Sequence, residues 1–184
     1  LRAATLVKDN DKKVALYKKA AEKFNSNAAQ YNLAVTYLKM DKMADAKVAL
    51  AKCEKDADWN NAMGVVALRE NNLTDAAKYF KAAGNKAANA NLALLDILAG
   101  DYKAAAAKLG NCKCFNAALA QLLVGNNAPA AALECNSPKA AYLRAVAAAR
   151  KGDAAGVKKN LADASKCEDL AARAAKDIEF AQYR

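Results

Sequence analysis

Polar turns interrupt runs of small and apolar residues at five places: Met40-Asp41-Lys42-Met43, Asn71-Asn72-Leu73, Ala99-Gly100-Asp101-Tyr102, Gly125-Asn126-Asn127-Ala128 and Lys151-Gly152-Asp153-Ala154. Seven places before Asp41, Asn71, Gly100, Gly125 and Gly152 stands a small residue (Ala34, Gly64, Ala93, Ala118, Ala145), usually preceded by an apolar one such as Leu33, Met63 or Leu92. Five places after the turns come Ala46, Ala76, Ala105, Ala130 and Val157, and nine places after them Leu50, Phe80, Leu109, Glu134 and Leu161. Such spacing predicts pairs of helices on either side of each turn, with small residues where two backbones approach.

The turn chemistry agrees with that reading. Glycine just past a helix takes the left-handed conformation without a steric penalty, and asparagine or aspartate caps the helix that follows. Ser26 and Asp11 are candidate helix starts, and Asn136-Ser137-Pro138 places a polar cap before a first-turn proline. The expected organisation is a partial unit over 12–25, repeats over 27–56, 57–85, 86–110, 111–136 and 138–166, and a terminal helix over 168–183, all within one domain that is a fragment of a longer chain.

This pattern resembles the tetratricopeptide repeat family. Tyr31-Asn32-Leu33-Ala34, Tyr37, Ala46, Leu50 and Cys53 match the family's spacing, and Gly100-Asp101-Tyr102 with Ala105 matches its mid-repeat turn. The resemblance implies an all-α fold, a right-handed α-α superhelix of about five helix pairs plus terminal helices. The turns are spaced 30, 29, 25 and 27 residues apart, against about 34 in the family. Trp59 lies one place from the family's aromatic position and Glu134 takes a normally apolar one. The later second helices are therefore expected to be short and their packing irregular.

Composition adds to this. Hydrophobic residues make up 55% of the 184, but 50 are alanine, which favours closely spaced helices over one large oily core. Histidine is absent and serine and threonine number three each, so the usual proton-transfer and nucleophile equipment is nearly missing. The reading is non-enzymatic, with no catalytic, cofactor or metal residues. The formal charge of +10 is spread along the chain without a basic block or interleaved aromatics, which disfavours nucleic acid. No stretch approaches the ~20 apolar residues of a membrane span.

By the same resemblance, the face of each first helix lines a concave groove. Two places before the small residues stand Asn32, Ala62, Asn91, Asn116 and Leu143, with Asn61 one residue off; five places after them stand Lys39, Arg69, Leu98, Leu123 and Arg150. Tyr31, Val35, Val65, Leu94, Phe115, Leu119, Tyr142 and Val146 supply a mostly apolar floor. Amide side chains both donate and accept, so a ladder of them can pair with the backbone of an extended or helical peptide. The expected partner is a protein segment with apolar anchors and acidic character. The family's carboxylate clamp is not reproduced, because Val35, Asp58 and Ala87 stand where its asparagine and lysines would be.

Two other readings compete: a spacer or homo-oligomerisation arm of a bacterial envelope protein, and a basic surface for polyanions. The start at Leu1 and the basic balance favour an exported bacterial chain, in the envelope or periplasm, over a cytoplasmic one. Of five cysteines, Cys53 and Cys112 share a repeat position filled elsewhere by Ala83 and Ala164, which predicts small buried side chains. Cys112-Lys113-Cys114 is a CxC rather than a CxxC motif, one repeat from Cys135. One bridge among these cysteines remains an open alternative.

Overall fold

All five turns close in the same way. Asp41, Asn71, Gly100, Gly125 and Gly152 each take a positive φ, between 59° and 93°. The next N–H then reaches back five residues, as from Lys42 to Tyr37 O at 2.9 Å, Asn72 to Ala67 O at 2.8 Å and Asn126 to Gln121 O at 2.8 Å. These bonds satisfy carbonyls that the helix end would otherwise leave unpaired. Asn72, Asp101 and Asp153 then accept from first-turn N–H groups of the following helix.

The computed structural model describes Ala4 and residues 6–184. Among them the architecture is all-α, as expected, with helices α1 (Asn10–Phe24), α2 (Asn27–Lys39), α3 (Met43–Leu50), α4 (Ala57–Arg69), α5 (Leu73–Ala83) and α6 (Lys86–Leu98). After these come α7 (Tyr102–Leu109), α8 (Phe115–Leu123), α9 (Ala128–Ala131), α10 (Pro138–Arg150), α11 (Ala154–Ala164), α12 (Glu168–Ala174) and a 3-10 helix, Ile178–Tyr183. Within α1–α5 and within α7–α12, helices adjacent in sequence pack on each other, most extensively α4 on α5 and α10 on α11. No described helix is long and apolar enough to cross a membrane. By packing the chain divides into two units, residues 1–92 and 93–184, with the division inside α6.

In the first unit, Leu33, Ala34, Tyr37, Ala46, Leu50 and Val66 form the buried core. The pair α4/α5 shows why the seventh position before the turn is small. A Cβ on Gly64 would lie 2.5 Å from the Phe80 ring, so the fully buried Phe80 occupies the space that a side chain at residue 64 would need. Trp59 spans two successive pairs, its Nε1–H donating to Leu50 O at 2.9 Å.

In the second unit the core is built largely on α10, where Ala140 to Ala149 are buried apart from Arg144. Ser137 caps this helix ahead of Pro138, as its sequence indicates. Ser26 likewise caps α2, but Asp9 rather than Asp11 caps α1, accepting from the N–H groups of Asp11 and Lys12. The expected terminal helix over 168–183 is not continuous. It breaks after Ala174, and the Asp177 carboxylate caps a separate 3-10 turn by accepting from Glu179 N–H at 3.1 Å. That break lets Phe180 reach full burial in the second unit's core.

Candidate functional site

The candidate residues occupy corresponding stripes on the first helices, at intervals of four that place them on one helical face. In the first unit these are Tyr31, Val35 and Lys39 on α2, then Asn61, Val65 and Arg69 on α4. Tyr31, Asn32, Val35, Asn61, Val65 and Asn91 are half-buried, while Lys39 is exposed. Burial, then the carboxylates of Asp58 and Asp56, push the Tyr31 phenol above its ordinary range.

The asparagines come together in part. Asn91 Nδ2 on α6 donates to Asn61 Oδ1 on α4 at 3.0 Å, across two successive first helices. A single bond leaves each amide further donor and acceptor capacity. It is Asn61, one residue off the repeat position, that joins the ladder, because Ala62 at that position is buried in the core.

The arginines do something the sequence reading did not foresee. Arg69 donates from one terminal nitrogen to Leu38 O, the carbonyl near the end of α2, and pairs with Asp41 at 3.0 Å. Arg150 donates to Leu122 O at 2.7 Å, near the end of α8, and to Asn127 Oδ1 at 3.4 Å. Both positions lie five residues after the small residue, and both reach the corresponding carbonyl of the preceding first helix. Each of these carbonyls already accepts a turn N–H, from Asp41 at 3.2 Å and from Gly125 at 3.1 Å, so the guanidinium adds a second donor and meets the negative end of the helix dipole. Both side chains therefore act as struts between successive repeats, a role the groove expectation for Arg69 and Arg150 did not include.

In the second unit the chain covers part of its own stripe. Tyr142 donates its hydroxyl to the Asp177 carboxylate and packs edge-on against Phe180, with ring centroids 5.6 Å apart. Burial, followed by the hydrogen bond to Asp177 and its charge, pushes the Tyr142 phenol up to about 12, against an opposing influence from Arg173. Arg150 pairs with Glu179 through two nitrogens, at 2.6 and 2.9 Å, and Tyr183 donates to Ala149 O at 2.8 Å. Tyr142 is therefore covered, while the exposed Arg150 has all three guanidinium nitrogens engaged. Phe115 and Leu119 on α8 are half-buried against the unit's core, whereas Asn116 and Leu94 are half-buried without joining it. Leu98 and Leu123 are exposed.

The cysteines divide into two kinds. Cys53 is half-buried and donates to Ala49 O, as a small packing residue should, and burial followed by Asp56 pushes its thiol up. Cys112 is exposed instead of filling a small buried site, and it is bridged to Cys114. Leu109 ends α7 and Gly110 turns the backbone out with φ 50°, so Cys112 leaves the packed layer. A bridge closing so short a loop removes little entropy from the unfolded chain, about 1.6 kcal/mol against about 3 for a fifteen-residue loop. It is a weak staple.

Beside the bridge lies a cavity of about 350 Å³ lined by Cys112, Cys114, Ala118, Gln121, Leu133 and Cys135, among others. Its origin is legible in the repeat. Where Leu50 and Phe80 fill the space between the helices of their pairs, the fourth pair has Glu134, which is exposed, and α9 lasts only four residues. Arg144 fixes the following loop by donating to Leu133 O at 2.8 Å and Cys135 O at 2.9 Å. Sequence reasoning missed Arg144, although a lone charge in the alanine-rich run 140–149 was a signal for it. Among the described residues no cluster of potential metal ligands forms. No protein-family model matches this chain, and comparison with curated proteins finds no match.

Proposed function

We propose that the first unit is a peptide-binding surface of the tetratricopeptide kind, receiving an extended segment of another protein along α2, α4 and the part of α6 within that unit, residues 86–92. The observation that carries this reading is the Asn61–Asn91 hydrogen bond, which aligns amides of successive first helices on one face. Tyr31 on α2 and Val65 on α4 are half-buried and supply apolar anchors. Backbone-directed amides give affinity that depends little on the ligand's sequence, while the apolar side chains set the spacing of its anchors. Lys39 supplies the attraction for an acidic residue, being exposed on the same stripe.

A displayed library of extended twelve-residue peptides, selected against the full chain, tests the reading. Enriched peptides should carry apolar residues at alternating positions and bind Asn32→Ala/Asn91→Ala at least tenfold more weakly by calorimetry. Unchanged affinity in that double variant removes the amide ladder from the function.

A further inference from the structure

We propose that the Cys112–Cys114 bridge is a thiol–disulfide exchange centre, and that its substrate is a dithiol segment of another protein whose apolar side chain seats in the adjoining cavity. Three features on residues 110–135 converge on this. The bridge is carried on the exposed turn between α7 and α8, and its two residues differ in access: Cys112 is exposed and Cys114 is half-buried. Cys114 occupies the N-cap position of α8 and, while bridged, makes no cap hydrogen bond with its side chain. The nine-residue helix therefore presents first-turn N–H groups and its positive end to any negative charge developing on that sulfur. The cavity opens against the same two residues, with Ala117, Ala118 and Leu133 supplying apolar walls.

Access and electrostatics assign the order of events. A thiolate of the partner attacks Cys112 Sγ, the bond to Cys114 breaks, and Cys114 leaves as a thiolate at the α8 N-terminus. The partner's second thiol, once deprotonated, attacks its own sulfur in the mixed disulfide, forming the partner's disulfide and releasing Cys112. Two electrons and two protons pass from the partner dithiol to the bridge, which becomes two thiols. Lys113, exposed between the two cysteines, adds a positive charge beside the attacking and leaving thiolates.

The full chain with Cys135→Ser, which removes the third sulfur lining the cavity, is the background for the test. Trypsin cuts after Lys113, so the fragments on its two sides stay joined while the bridge is intact and separate once it is reduced. Mass spectrometry of the acid-quenched, alkylated digest therefore reads the bridge directly. The probe is a synthetic octapeptide with two cysteines flanked by leucines, compared with dithiothreitol. The expected result is one peptide disulfide formed per bridge reduced. Ala132→Trp, which fills the cavity mouth, should slow the peptide reaction at least tenfold and leave the dithiothreitol rate within twofold. With oxidised peptide, Cys114→Ser should trap a mixed disulfide on Cys112 at least tenfold more than Cys112→Ser traps on Cys114. Fragments that separate without reductant, equal trapping at the two cysteines, or a peptide rate that Ala132→Trp leaves unchanged or slows no more than that of dithiothreitol each overturn the proposal.

Discussion

The pairs α4/α5 and α8/α9 start from the same turn and end differently. Each has its left-handed residue, Asn71 or Gly125, and its backbone bond to a carbonyl five residues back. In α4/α5 the space between the helices is closed by Phe80 lying on Gly64. In α8/α9 the corresponding residue is Glu134, the second helix stops after Ala131, and a cavity of about 350 Å³ remains. One repeat position, apolar or charged, thus decides whether a pair serves stability or leaves a lined space. The turn geometry is indifferent to that choice because its hydrogen bonds are backbone to backbone.

The contrast can be broken most severely at Phe80. Phe80→Ala removes a fully buried ring above a glycine that cannot fill the space, and a loss of about 3–5 kcal/mol is expected in denaturant unfolding of the whole chain. Glu134→Ala, on the exposed side of the comparison, should stay within about 0.5 kcal/mol of the parent.

The arginine struts sharpen the comparison at a smaller scale. Arg69→Ala leaves Leu38 O with the Asp41 N–H alone, and a loss of about 0.5–1 kcal/mol is expected, modest because that bond remains and the ion pair is exposed to solvent. Arg150→Ala severs the bond to Leu122 O and the pairing with Glu179 together. It should also release the segment around Phe180, seen as faster amide hydrogen exchange over residues 177–183. Equal exchange in the two variants would show that the second strut holds only its helix.

The smallest effect concerns alkali. The Tyr142 phenol is pushed up to about 12 from 10.0, so its folded value lies above its unfolded one. Its contribution is therefore fully present below pH 10 and is lost as pH rises from there through about 12. Ultraviolet titration at high pH should show a late-ionising tyrosine that Tyr142→Phe removes.

Much of the fold was readable from local chemistry. Five turns declared themselves by residue type, since only a few side chains tolerate a left-handed backbone or cap the next helix. The small residues before them marked where helices meet, and Glu134 at a normally apolar position, with the short second helices expected of the later repeats, marked the irregular pair. The candidate face was less legible. Arg69 and Arg150 look like ligand-binding cations in sequence, but their partners are backbone carbonyls about thirty residues away, which no residue-type pattern encodes. Tyr142 looks like groove floor, yet Asp177 and Phe180 cover it because the terminal helix breaks at a capping aspartate.

What the sequence determined by itself is the all-α repeat of helix pairs, because helix propensity, turn conformation and capping act over a few residues. What only the tertiary structure decided is the use of each surface: which amides pair, which cations are already engaged, which face the chain covers with its own end, and which cysteines are bridged beside a cavity. Those outcomes depend on distances between residues far apart in the chain, and they follow from how the packed helices place side chains in space rather than from the identity of any one residue.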